Sequence, residues 1–446
     1  MSATETARRS ARETALRTVR DVFSPEQRGA QAAFDHHVRD SGLDARDRAF
    51  AAEIAYGSIK MRRLLDWYLA PYVGGREHPL PPAIMEILRL GVYQLRCMGG
   101  VDDHAAVYET VNLARRYGHK GTAGLVNAVL RRFIADAPPA PQAGDGKNET
   151  DAAALAASLP TWITRQWEQT FGTALLPDIL KGVNAQPQQA VLVNALRATR
   201  DEVLAEFATR GITARPSEYV DETLVVTDGV AGDDPAGRWT VQSESAALAV
   251  ALLDPQPGER VVELCSGRGN KSVQLAARMQ NRGELLCVER DRRKNDVQAL
   301  LLARNGVSIA RTRCADAREP VAEENGADAV LLDAPCSALG VVGRHPESRW
   351  RKTPADGERL ALVQAELLAG AAARVRPGGR LVYGVCSTDP REGRDAIAAF
   401  LASAPGFVLG EIPPALRAFE REGALLVPPG IEGRDGFYLI RIERRE

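Results

Sequence analysis

Cysteine is scarce in this 446-residue chain: six residues, at 97, 265, 287, 314, 336 and 386, with no C-x-x-C pair and no His-x-x-x-His anywhere. The usual zinc patterns are therefore excluded and no metal is expected. A disulfide framework belongs to small secreted domains and does not fit a chain this long. Also absent is any apolar run near the roughly 20 residues of a membrane span. Met1 to Arg20 are charged and lack the apolar core of a signal peptide. The expectation is a cytoplasmic protein without a membrane partner. A surplus of one charge is missing too: 57 Lys+Arg stand against 58 Asp+Glu. Residues 1–138, however, hold 20 against 16. A slightly basic N-terminal part with clustered arginines can meet phosphates, although a solvated helix surface has the same look.

What is present is more telling. Cys336 lies in Asp333-Ala334-Pro335-Cys336-Ser337 and Cys386 in Tyr383-Gly384-Val385-Cys386-Ser387. Each follows a hydrophobic run that reads as a buried parallel strand. Side chains just past the C-terminal ends of such strands face the ligand crevice of an open α/β sheet. Two thiols and a carboxylate at one edge point to covalent chemistry. The other four cysteines are read differently: Cys265 belongs to a glycine-containing motif, and Cys97, Cys287 and Cys314 read as small buried hydrophobes.

The chain is too long for one core. Residues 5–134 read as a helical bundle. Pro81-Pro82 opens a helix with a stripe of Ile84, Ile87, Leu88, Gly91 and Leu95. Asp102 or Asp103 can cap the next helix, which stops at Gly118, and a further one carries Leu125, Val129, Leu130 and Phe133. Residues 139–150 read as a linker and 151–235 as a small α+β module, with strands at Ala190–Val193 and Leu224–Val226. Thr199 and Glu202 form a capping box between them. From 236 to 446 strands and helices alternate in the doubly wound α/β pattern, with the clearest strands at 260–265, 285–289, 329–333 and 380–386.

Glu263-Leu264-Cys265-Ser266-Gly267-Arg268-Gly269 fits E-x-x-x-G-x-G, the usual first motif of class I methyltransferases. Glycines there let a backbone approach a ligand. A second strand ends at Glu289, where an acidic residue takes ribose hydroxyls, and Asp316 follows the next strand. A dinucleotide fingerprint would need glycine at 272, which is Ser272. That favours S-adenosylmethionine over NAD. Arg344, Arg349, Arg351 and Lys352, interleaved with Trp350, form a basic-aromatic cluster suited to phosphates and a stacked base.

With these residues in view, the chain resembles the bacterial 16S rRNA cytosine 5-methyltransferases that carry a NusB-like N-terminal domain. The strings His104–Asn112, Gly124–Arg132, Asp333–Ser337, Arg344-His345-Pro346 and Asp435-Gly436-Phe437 carry the likeness, which covers nearly the whole chain. The family's C-A-A-P-G-G-K is here Cys265-Ser266-Gly267-Arg268-Gly269-Asn270-Lys271. Its T-C-S is Val385-Cys386-Ser387, and its P-E-E-N is Pro390-Arg391-Glu392-Gly393. The resemblance implies an all-α NusB-like RNA-binding domain over 1–138 and a Rossmann-like methyltransferase domain over 236–446. The module between them would serve RNA recognition. It further implies that Cys265, Ser266, Gly267, Arg268, Gly269, Asn270, Lys271, Glu289, Asp316 and Asp333 line an S-adenosylmethionine pocket. It assigns the nucleophile to Cys386 and product release to Cys336.

The chemistry needs these groups. Carbon 5 of cytosine is a poor nucleophile, and a thiolate adding to carbon 6 makes it an enamine carbon. Addition puts charge on the ring, so a donor near ring nitrogen 3 is required, and Asp333 is the candidate. The target base must leave any stack to reach a buried thiolate. The substrate is then RNA, most simply 16S rRNA, and a monomer is expected. The alternatives are a methyltransferase for tRNA or another RNA, and a non-catalytic RNA-binding assembly factor.

Overall fold

The computed structural model describes residues 9–75, 79–319 and 325–446. It divides into two compact units: Met1–Gln166 with Arg344–Arg351, and Trp167–Gly343 with Lys352–Glu446.

The first unit is helical: α1 Ala11–Val22, α2 Ala30–Arg39, α3 Ala45–Lys60, α4 Arg62–Val73, α5 Pro82–Arg96, α6 Asp103–Tyr117 and α7 Lys120–Asp136. Short polar side chains start several of them. Ser10, Asp44 and Asp102 each accept an otherwise unpaired N–H in the first turn of α1, α3 and α6. Helix α5 turns Ile84, Ile87, Leu88 and Gly91 into the core, while Leu95 packs at its margin. Helix α6 buries Val107 and Val111, and α7 buries Val129, Leu130 and Phe133. Residues 149–166 also belong to this unit. Arg63 of α4 pairs with Asp151 at 2.9 Å and donates to the Leu159 carbonyl at 2.6 Å. The boundary expected at 150/151 is thus not a break in the structure.

The returning segment Arg344–Arg351 corrects one expectation. Glu347 accepts the Ala30 N–H at 3.0 Å, supplying the partner that the start of α2 lacks. The Trp350 indole donates to the Ile59 carbonyl at 2.6 Å, and Arg351 to the Arg28 carbonyl at 2.6 Å. Arg349 is fully buried, and burial pushes its guanidinium down to about 9. Trp350 and Arg351 are spent on these backbone carbonyls, and Arg349 donates to that of Lys60 at 3.4 Å. The basic-aromatic cluster read from sequence as an RNA contact is, at Arg349, Trp350 and Arg351, a structural anchor. Sequence spacing cannot tell a cation facing solvent from one that satisfies buried carbonyls.

The second unit contains two sheets. The smaller is antiparallel: β1 Gln189–Val193, β2 Thr213–Pro216, β3 Thr223–Asp228 and β4 Trp239–Val241, in the order β2-β3-β1-β4. The Thr199–Glu202 capping box opens the helix between β1 and β2. Strand β4 pairs with β1 but lies past residue 235, so the boundary expected there falls inside this sheet.

The larger sheet comprises β5 Arg260–Leu264, β6 Glu284–Glu289, β7 Ala310–Cys314, β8 Ala327–Asp333, β9 Val375–Val385, β10 Phe407–Leu409, β11 Glu420–Arg421, β12 Ala424–Val427 and β13 Phe437–Arg444. Its order is β11-β12-β13-β9-β8-β5-β6-β7, with β10 on β13. Strands β5 to β9 are parallel, and β13 runs antiparallel beside β9. The runs Val261–Leu264, Ala329–Leu332 and Leu381–Val385 are buried, as parallel strands covered on both faces must be. Register brings the strand ends level: Leu264 pairs with Leu332, and Asp333 with Gly384. Cys265, Glu289, Asp333 and Cys386 therefore leave the sheet at one edge. Among the described residues, no helix is long and apolar enough to cross a membrane.

Candidate active site

Two constructions meet at that edge. The first is the turn after β5. Cys265 itself adopts a left-handed conformation, with φ +57°, followed by Gly267 at +60° and Gly269 at +94°. A Cβ on Gly269 would sit 2.8 Å from the Gln298 side chain, so only glycine fits where the helix Asn270–Arg278 begins. The Gly267 N–H donates to Glu289 Oε2 at 2.9 Å, and the Asp291 N–H to Oε1 at 2.8 Å. The carboxylate at the end of β6 thereby fixes the loop after β5, and each oxygen keeps a lone pair for another donor. Below the turn lies a buried polar chain: Ser266 donates to Gln298 at 3.2 Å, Gln298 to Ser272 at 2.9 Å, and Ser272 to Glu263. Burial pushes Glu263 up to about 7.

Burial also raises the Cys265 thiol to about 12, with the charges of Asp333, Glu289 and Asp316 adding to the effect. Three carboxylates from three strand ends thus act on one spot. Asp316 is gripped by Arg318, which holds it down at about 2. Arg268 is exposed, and the Asn270 side chain donates to the Val241 carbonyl at 3.1 Å. Of the residues expected around a cofactor, these two bring their backbones to the turn rather than their side chains. They are also two of the four positions, with Ser266 and Gly267, where the motif departs from the resembling family.

The second construction joins two loops. Cys336 Sγ lies 3.3 Å from Cys386 Sγ. Lys271 Nζ donates to Asp333 Oδ2 at 2.7 Å. Burial works against this ammonium, but Asp333 outweighs it through charge and hydrogen bond, with Glu263 and Cys386 adding, so Lys271 stays above the ordinary lysine range. The Cys336 thiol is held well above the usual thiol range, first by its hydrogen bond to Cys386 and then by burial.

A residue to which the sequence reading gave no role fastens these loops. Glu392 is fully buried. It accepts the Ser337 N–H at 2.8 Å, the Gln364 amide at 3.1 Å, and the hydroxyls of Ser337 and Ser387. Those two hydroxyls lie 2.9 Å apart. One carboxylate thus binds the residue after each cysteine. The only signal in the sequence was the P-E-E-N-like string, of which Glu392 is the retained acid.

A parallel sheet with a glycine turn after β5 and an acidic residue ending β6 defines the class I methyltransferase fold. Three stretches match described families: residues 250–443 the 16S rRNA methyltransferase RsmB/F family, residues 9–135 the NusB family, and residues 159–232 the ferredoxin-like domain of RsmF/B-like methyltransferases. The chain is 34% identical over 415 residues to ribosomal RNA small subunit methyltransferase B of Thermus thermophilus, covering 93% of each protein. It is 30% identical over 418 residues to a probable small subunit methyltransferase B of Bacillus subtilis, covering 92% of this chain and 93% of that one. Among solved structures, PH0851 superposes with a TM-score of 0.82 at 26% identity, covering 97% of this chain and 98% of the other. The chain belongs to the RsmB/F family of 16S rRNA methyltransferases. It is an S-adenosylmethionine-dependent RNA methyltransferase. Among the described residues, no cluster of His, Cys, Asp and Glu could hold a metal ion.

Proposed function

We propose that the chain methylates carbon 5 of a cytosine in 16S rRNA through a covalent bond to Cys386. The observation that carries this is the pair of thiols 3.3 Å apart beside the Lys271–Asp333 ion pair. The residues fit S-adenosylmethionine: Glu289 has lone pairs left for a ribose diol, and the carboxylates around Cys265 suit a cationic group. Cys265 to Lys271, Glu289, Asp316 and Asp333 would hold it. When bound, it supplies an electrophilic methyl group.

Cys386 adds as thiolate to carbon 6 of the flipped base, so that carbon 5 becomes nucleophilic. Negative charge spreads toward ring nitrogen 3, which takes a proton from the Lys271 ammonium relayed through Asp333. Once carbon 5 carries its methyl group, its hydrogen leaves as a proton. The electron pair of that C–H bond forms the C5–C6 double bond and expels Cys386, and the proton on nitrogen 3 returns by way of Asp333, which restores the aromatic ring. Cys336 takes part in this last step. The chief cause that keeps its thiol neutral is the Cys386 hydrogen bond. The Cys336 sulfur lies 3.3 Å from Cys386 Sγ, beside the bond that breaks. A cytoplasmic location belongs to the same reading. The test is methyl transfer from labelled cofactor to unmodified 16S rRNA, with the product mapped as 5-methylcytosine. Label found on another base or another ring position would refute it.

A further inference from the structure

Helices α6 and α7 leave a groove of about 870 Å³ between them. Its chemistry follows from how the structure splits two arginine pairs. Arg116 is bound to the buried Glu13, and Arg132 pairs with Asp136 at 3.5 Å and lies over the Tyr72 ring. Their neighbours Arg115 and Arg131 line the groove instead. Among the described residues each is held by an asparagine on its own helix: Arg115 by Asn112 at 2.9 Å, Arg131 by Asn127 at 3.1 Å. Lys120 adds a third cation, against one lining carboxylate, Asp103.

The groove also holds Tyr108 and Ile134, 56% and 37% exposed. Among the described residues of the helical unit, they are the only large apolar side chains left exposed. Gly124 lies on the groove wall, and a Cβ there would meet nothing within 4 Å. An exposed aromatic ring, three cations and an open wall are the combination that stacks a base and neutralises its flanking phosphates. Three cations against one carboxylate favour a polyanion, and the exposed ring among them suits a strand whose bases are unstacked.

We propose that this groove binds single-stranded RNA, with a base on Tyr108 and phosphates on Arg115, Lys120 and Arg131. The inference rests on the reading that RNA is the substrate and adds where a strand outside the catalytic pocket is held. The test uses the full chain with an unstructured RNA of about 12 nucleotides and with the 16S transcript. Tyr108→Ala should weaken binding of the short RNA about tenfold. Gly124→Glu, which fills the groove with a negative side chain, should weaken it at least as much. Gly124→Ala should leave it unchanged. Both glycine substitutions suit a helix interior, so melting temperatures should not fall. Arg115→Ala with Arg131→Ala should lower the slope of log affinity against log salt by about 1.4.

Unchanged affinity and slope in these folded variants would overturn the proposal. So would normal binding to both RNAs combined with lost methylation of ribosomal particles, which would assign the groove to a protein. Failure of the wild-type chain to form 5-methylcytosine would count against the proposed reaction alone, because binding of the short RNA is read without it.

Discussion

The two halves of the candidate site are built by opposite means. The turn after β5 is shaped by backbone: left-handed residues at 265, 267 and 269, and a Glu289 carboxylate that accepts two main-chain N–H groups. The cysteine loops are shaped by side chains converging on Glu392. A backbone-made turn tolerates a new side chain wherever it points away, as the exposed Arg268 does. A side-chain network does not, because removing its acceptor strands several buried donors at once.

The largest expected effect separates the two thiols. Cys386→Ala should abolish methylation and leave no covalent RNA complex. Cys336→Ala should still permit addition and methyl transfer, so that protein accumulates on methylated RNA as a slow band in a denaturing gel. Addition comes first and elimination last, so removing the group used last is what traps the adduct. A band with Cys386→Ala and none with Cys336→Ala would reverse the assignment.

Next comes Glu392. Glu392→Gln should lower kcat about a hundredfold, the scale of an ångström-sized misplacement of reacting groups. The KM for cofactor should hold, because Glu392 touches none of the turn after β5. A raised cofactor KM with kcat intact would mean that the two constructions are not independent.

At the other construction, Glu289→Ala should weaken cofactor binding roughly ten- to hundredfold, the loss of hydrogen bonds to a charged acceptor. Calorimetry is the measurement, and an unchanged Kd would remove Glu289 from the site.

The smallest effect concerns the floor of the turn. Burial raises Glu263 to about 7 from an ordinary 4.5, so between those values the folded chain keeps a proton that the unfolded chain has released. Its contribution to stability is complete below about pH 4.5 and lost as the pH rises toward 7. Glu263→Gln should therefore melt higher than the parent at pH 8, by up to about 3 kcal/mol in stability, and show little gain at pH 5. An equal difference at both pH values would contradict a buried, proton-holding Glu263.

Much of this was legible in one dimension. The 3.6-residue stripe of α5, the Asp102 cap and the Thr199–Glu202 box are local signals, and local sterics and caps decide them. The strand ends at Cys265, Glu289, Asp333 and Cys386 were legible because parallel strands buried on both faces read as unbroken apolar runs. The middle boundaries were not. Strand β4 joins a sheet that starts fifty residues earlier, and residues 149–166 are claimed by Arg63 of α4. Nothing near 150 or 235 in sequence records those pairings.

The sequence by itself determined the kinds of groups and the strand ends that carry them: two thiols, a carboxylate, a lysine and a glycine turn. Tertiary structure alone decided their partners. It set Cys336 beside Cys386, gave Lys271 to Asp333, and made Glu392 the acceptor that fastens both loops. It also turned Arg349 inward and left Arg115 and Arg131 in the groove. The physical reason is that a titratable side chain's role depends on burial and on the charge it faces, and both are set by residues tens to hundreds of positions away.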